Sequence, residues 1–157
     1  LTGHALFSTL HTEDTVSAIF RMIEMGVPPY LLAATLSGVI AQRLVRRVCE
    51  HCREEYVVPV GSREAVQLGE RYHEGMKLVR GCGCGHCHGT GYRGRMAIHE
   101  ILPVSEHIRT AILAAADRAA LRRAVTAEGL VTLWQDGAAK ALAGKTTLAE
   151  VGRALYG

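Results

Sequence analysis

From residue 12 to residue 26 the apolar positions Val16, Ile19, Phe20 and Ile23 recur at intervals of three and four, which gathers them on one face of an amphipathic helix. Asp14 or Thr12 stands where its cap belongs, and Gly26 stands where such a helix ends. The preceding segment, HALFSTL at residues 4–10, is a short run of apolar and hydroxyl residues that reads as a buried strand, although periodicity alone does not separate so short a run from a helical turn. Pro28 and Pro29 then fit the first turn of a second helix, expected to run from about Pro29 to Val48. Its last turns would carry Arg43, Arg46 and Arg47, where cations complement the negative end of the helix dipole.

The periodic pattern stops at Cys49. From there to Arg95 the chain holds all five of its cysteines and much of its glycine, with one short helix candidate at residues 62–72. Such a segment needs something other than an apolar core to hold it. MAIHEIL at residues 96–102 alternates as a strand does, and three or four short helices follow. Ser105 and Asp117 are their expected N-caps, Gly129 and Gly144 their stops, and Thr147 with Glu150 the capping box of the last one. No internal repeat is present.

Composition narrows the class. At 157 residues and 48% hydrophobic, the chain can bury one ordinary core or two small ones, which excludes a disordered chain. The longest apolar run, residues 30–41, is broken by Thr35, Ser37 and Gly38 and falls short of the roughly 20 residues a membrane crossing needs, so the chain is expected to be soluble. It opens with LTGHALFSTL, which has no signal-peptide pattern and reads as the middle of a domain, so a fragment of a longer protein is expected. A net charge of +3 with 5% aromatic residues is too mild for a nucleic-acid surface.

The cysteines carry the clearest chemistry. Cys49-Glu-His-Cys52 and Cys84-Gly-His-Cys87 are two C-x-x-C pairs, and together they supply four thiolates for a tetrahedral Zn²⁺. A closed four-sulfur shell makes a structural site, and thiolates that must stay reduced point to the cytosol. The interval between the pairs is longer than in a common zinc ribbon, and an inserted helix would absorb it. Cys82 could stand in for Cys84, but Cys84 repeats the two-residue spacer of the first pair, so that backbone N–H groups can point at the sulfurs. Cys82 is then the spare thiol, and His51, His86 and His88 are expected as solvated loop residues.

Four segments, LTGHALFSTLHTEDT, IAQRLVRRVCEHC, CGHCHGTGYRGRMAIHEIL and LWQDGAAKALAGKTTLAEVGRAL, follow one another in an order that resembles the secretion ATPase superfamily. The resemblance is to the C-terminal part of a type II secretion or type IV pilus assembly ATPase, and it does not separate the two. It implies an α/β fold: residues 1–48 as the last part of a RecA-like P-loop NTPase domain, 49–95 as a tetracysteine zinc-binding subdomain, and 96–157 as a mainly helical C-terminal subdomain. It also implies a parent that is a hexameric motor ATPase using ATP and Mg²⁺, cytoplasmic and held at the inner membrane through a platform protein and other machine components. His4 and His11 match the histidines of the family's His box, accompanied by Thr9 and Thr12, where imidazole and hydroxyl groups sense the γ-phosphate. Glu13 stands where many relatives have Asn. Arg95 of GYRGR matches a position near bound nucleotide or the subunit interface, and Arg43 is a second interface candidate. No G-x-x-x-x-G-K-[ST] stretch is present, so the P-loop and the catalytic carboxylates would lie before Leu1 and this chain alone should not hydrolyse ATP.

Two other classes compete with the motor reading. A stand-alone zinc-binding adaptor would dock proteins through its helical tail. A nucleic-acid-binding zinc ribbon is disfavoured, because only Tyr56, Tyr72 and Tyr92 are spread through the cysteine region for base stacking.

Overall fold

The computed structural model describes residues 3–114 and 117–157, which fall into two compact units, each built from two separate stretches of chain. The first takes residues up to 41 and 101–130; the second takes 42–100 and 131–157.

In the first unit, α1 (Thr15–Glu24) starts at Asp14, whose carboxylate accepts from the Ser17 N–H at 2.7 Å. It ends before Gly26, whose φ of 93° lies in the left-handed region that glycine adopts most readily. Val16 and Ile19 are fully buried, with Phe20 and Ile23 packed at the margin, as their spacing predicts. The second helix is much shorter than expected. Helix α2 (Pro29–Thr35) is only seven residues long, and the chain then becomes strand β1 (Gly38–Val48). Arg43, Arg46 and Arg47 therefore lie on a strand, not on helical turns. Ala41, Val45 and Val48 are the buried positions of β1, at intervals of four and three that imitate a helix. Its backbone is extended because it pairs with β4 (Tyr92–Pro103) in a two-stranded sheet.

The core of this unit joins Leu32 and Ala33 of α2 to Leu102 and Val104, to Ile108 and Ile112 of α4 (Glu106–Leu113), and to Leu121 and Val125 of α5 (Arg118–Ala127). Each such aliphatic side chain, fully buried, contributes roughly 1.5–3 kcal/mol. Ser105 and Asp117 cap α4 and α5 as expected, and Gly129 follows α5 with φ 80°. Residues 4–10, expected as a buried strand, form neither helix nor strand, and Leu6 and Phe7 are 89% and 95% exposed. A strand needs a neighbour for its N–H and C=O groups, and no described segment pairs with this one.

The second unit contains an antiparallel hairpin of β2 (Arg53–Val57) and β3 (Lys77–Gly81), with Arg53 opposite Gly81 and Val57 opposite Lys77. Between them lies α3 (Arg63–Leu68), capped by Ser62 and followed by a 3-10 turn at Gly69–Arg71, inside the expected helical stretch. Val58, Ala65, Leu68 and Leu78 share a core with Ala138, Ala141 and Leu148 of α6 (Leu133–Leu142) and α7 (Leu148–Tyr156). Gly137, in the middle of α6, is where α7 comes closest: a Cβ there would sit 2.5 Å from a Val151 methyl. Thr132 and Gln135 form a reciprocal capping box on α6 that the sequence reading did not anticipate.

Only half of the box expected at Thr147 forms. Thr147 accepts from the Glu150 N–H, but the Glu150 carboxylate turns inward and is 1% exposed. There it accepts from Arg46 at 2.7 Å and from Arg153 at 2.6 Å, and from the Arg46 backbone N–H at 3.0 Å. The Arg46 guanidinium also lies 4.3 Å from the centre of the Tyr92 ring, and the Tyr92 hydroxyl meets that of Thr147 at 2.8 Å. A buried charge is tolerated only when paired and hydrogen-bonded, which outranks the cap. Burial would raise the Glu150 carboxyl, yet the hydrogen bonds from Arg153 and Arg46 outweigh it and hold it down to about 2.

A carboxyl depressed in this way stabilises the fold above its ordinary pKa of 4.5, and loses that contribution as pH falls towards about 2. Arg46 and Arg153 remain about half exposed, which screens part of the attraction. Glu150→Gln is therefore expected to cost about 2 kcal/mol in denaturant unfolding at pH 7. The gap to wild type should close as the titration passes below pH 4.5.

Candidate metal centre

Each of the four described strands begins or ends within a few residues of a C-x-x-C pair. β1 ends at Val48, next to Cys49; β2 starts at Arg53, next to Cys52; β3 ends at Gly81 and β4 starts at Tyr92, on either side of Cys84 and Cys87. The β2–β3 pairing carries the chain out from the first pair and back to the second, so the long interval is taken up by a hairpin as well as the expected helix. The Cys49 N–H donates to the Gly91 carbonyl at 2.9 Å, and the Cys82 N–H to the Cys52 carbonyl at 3.0 Å. At Gly81 and Gly91 the two backbones touch: a Cβ on Gly81 would lie 2.0 Å from the Gly91 oxygen. Only glycine permits that approach.

The structure brings Cys49, Cys52, Cys84 and Cys87 together, with their sulfurs all within 4.8 Å of one another. Cys49–Cys84, Cys52–Cys87 and Cys84–Cys87 are separated by 3.9, 3.8 and 3.8 Å. A tetrahedral ion with metal–sulfur bonds of about 2.3 Å needs sulfur–sulfur edges of about 3.8 Å. The four sulfurs therefore fit a metal ion of zinc's size and preference. Backbone N–H groups support them: those of Cys84 and Gly91 point at the Cys87 sulfur at 3.2 and 3.3 Å. Burial pushes the Cys87 thiol up, but these N–H groups and the neighbouring thiols outweigh it and bring it down to about 6. Burial, joined by hydrogen bonds from Cys87, Cys84 and Cys49, pushes the Cys52 thiol up to about 12. Metal ligation requires the thiolate form, so binding of an ion here would depend on pH.

Cys82 lies outside the cluster and is exposed. A hydrogen bond to the Glu54 carboxylate, which Arg80 also binds at 2.7 Å, pushes its thiol up from the ordinary value. Nothing in the sequence marks Glu54 as its partner, because the contact comes from hairpin register. His51, His86 and His88 are exposed, and the first two stack with ring centres 4.0 Å apart.

The remaining candidates are distributed over the two units. His4, Thr9 and His11 lie on the exposed segment without regular structure, and half-buried Thr12 donates to the Asp14 carbonyl at 3.4 Å. Arg95 is exposed on β4, and Arg43, half-buried on β1, donates to the Gln42 carbonyl. These positions sit on different units, the first four on one and the two arginines on the other.

The family described as type II/IV secretion system protein matches residues 1–153. Among individual proteins, the chain is 48% identical over 151 residues to the type IV pilus assembly ATPase PilB of Thermus thermophilus, covering 96% of this chain and 17% of that protein. It is 42% identical over 153 residues to the type II secretion system protein E of Dickeya dadantii, covering 98% of this chain and 30% of the relative. A putative type II secretion system protein E of Escherichia coli is likewise 42% identical, over 155 residues, again 98% of this chain and 30% of the relative. The chain thus spans less than a third of the length of these relatives, and the match runs through the segments that hold the four sulfurs. This chain belongs to the type II/IV secretion system protein family.

Proposed function

We propose that this chain is the C-terminal part of a motor ATPase that couples ATP hydrolysis to type II protein secretion or type IV pilus assembly. The observation that carries the reading is the 48% identity, over 96% of the chain, to a protein named as a pilus assembly ATPase. In this reading residues 1–48 continue a RecA-like domain, 49–95 carry a structural zinc, and 96–157 form the helical remainder. The parent assembles as a homo-hexamer, works at the cytoplasmic face of the inner membrane and passes its motion to a platform protein there. No described helix is long and apolar enough to cross a membrane, so attachment would run through partners.

The chemistry divides accordingly. Phosphoryl transfer to water depends on charge placed around the γ-phosphate. This sequence contains no P-loop stretch to supply it, so the chain by itself is inactive. What it contributes is response to the nucleotide. His4, Thr9, His11 and Thr12 lie on a segment exposed here, which would become ordered against the parent's nucleotide and its sheet. Arg95, exposed on β4, offers a permanently charged, bidentate group to phosphate or to a neighbouring subunit, with Arg43 as a second interface contact. Zinc at Cys49, Cys52, Cys84 and Cys87 fixes the strand ends and takes no part in hydrolysis, because a four-thiolate shell leaves no open position.

Two measurements test these assignments. Elemental analysis is expected to give one zinc per chain, kept in Cys82→Ser and lost in Cys84→Ser, with a fall in thermal stability only in the second; retention of zinc by Cys84→Ser would refute the ligand set. In the complete parent, His11→Ala is expected to lower ATP turnover at least about tenfold without altering the unfolding temperature. Wild-type turnover would remove the sensing role, and a parent without ATPase activity would leave the zinc adaptor as the better reading.

A further inference from the structure

Helix α3, the 3-10 turn after it and helix α6 enclose a groove of about 200 Å³, lined by Gln67, Leu68, Arg71, Trp134, Gln135 and Ala138. Leu68 and Ala138 close its floor and are only 6% and 3% exposed, so the half-buried Trp134 supplies its apolar surface. Its polar groups include the Arg71, Gln67, Gln135 and Trp134 donors together with the Gln67 amide oxygen, and no carboxylate is among the lining residues. The Gln135 side-chain oxygen is already occupied, accepting from the Thr132 N–H at 2.9 Å, so its NH₂ is left to donate. Arg71, Gln67 and the Trp134 indole N–H have no hydrogen-bond or ion-pair partner among the described residues.

An arginine beside a tryptophan, with amide donors on both walls, is complementary to a carboxylate that has an apolar neighbour. Arginine and tryptophan are also the side chains most enriched where a few contacts carry an interface. The volume narrows the ligand further. Small-molecule sites run to about 300–1,000 Å³, so this groove accommodates one or two side chains and not a nucleotide.

We propose that this groove docks an acidic segment of a partner protein, its carboxylate on Arg71 and an adjacent apolar side chain against Trp134. Docking here would be independent of ATP turnover and would serve a motor or an adaptor alike.

Trp134 is the chain's one tryptophan, so its indole ¹⁵N–¹H resonance reports the groove without ambiguity. The probe is an acetylated, amidated hexapeptide of alternating leucine and glutamate, compared with the same peptide carrying glutamine for glutamate. The expected result is a saturable shift of the Trp134 resonance with the glutamate peptide only, at least about tenfold weaker in Arg71→Gln and unchanged in Arg63→Gln. Arg63 is a second exposed arginine on α3, outside the lining. No saturable shift, an equal response to the glutamine peptide, or equal weakening in both variants would overturn the proposal. Matching saturation by sodium acetate or phosphate at the same anion concentration would also overturn it, leaving a small-anion site.

Discussion

The architecture of the second unit depends on four sulfur atoms drawn to within 4.8 Å of one another at the ends of four strands. The segment between Cys49 and Arg95 is poor in the apolar periodicity that would hold a conventional core. Its hairpin rests on α6 and α7 at one end and on the cysteine pairs at the other. Isolated two-stranded sheets are marginal in water by themselves. Tying their ends to one point fixes both sheets' registers at once, and the glycines at positions 81 and 91 let the chains cross there without a side chain between them.

A second constraint acts on the same unit. Glu150 is an acid in a place where an acid is costly, and its burial is tolerated because Arg46 arrives from β1 and Arg153 from one turn further along α7. Arg46 in turn lies on the ring of Tyr92, the first residue of β4, whose hydroxyl reaches Thr147 at the start of α7. One carboxylate thereby relates the end of β1, the start of β4 and the last helix. Removal of such a group leaves its partners without their counter-charge, which is why a buried ion network fixes arrangement more than it adds stability.

Both constraints bear on the family's chemistry through placement. GYRGR emerges directly from the metal cluster: Gly91 donates to the Cys87 sulfur, Tyr92 enters the Glu150 network, and Arg95 stands exposed four residues on. The cluster and the ion network thus hold the backbone on which this exposed guanidinium stands. The segment at residues 4–10 is the opposite case, with Leu6 and Phe7 exposed and no described strand beside them.

Local chemistry was legible wherever a few neighbouring residues decide the outcome. The caps at Asp14, Ser105, Asp117 and Thr147, the stops at Gly26, Gly129 and Gly144, and the two matched C-x-x-C pairs could all be read from the chain, because each depends on contacts within four residues or on a repeated spacer. Where long-range pairing competes with periodicity, the sequence misled. Residues 38–48 carry buried positions at helical intervals, yet become a strand because β4 offers a backbone to pair with. Residues 4–10 have the composition of a strand, and no described strand pairs with them. The inward turn of Glu150, the Glu54 contact that occupies Cys82, and the groove at Trp134 were invisible in the sequence for the same reason. Each is made by residues far apart in the chain, and only the folded backbone sets which of them meet.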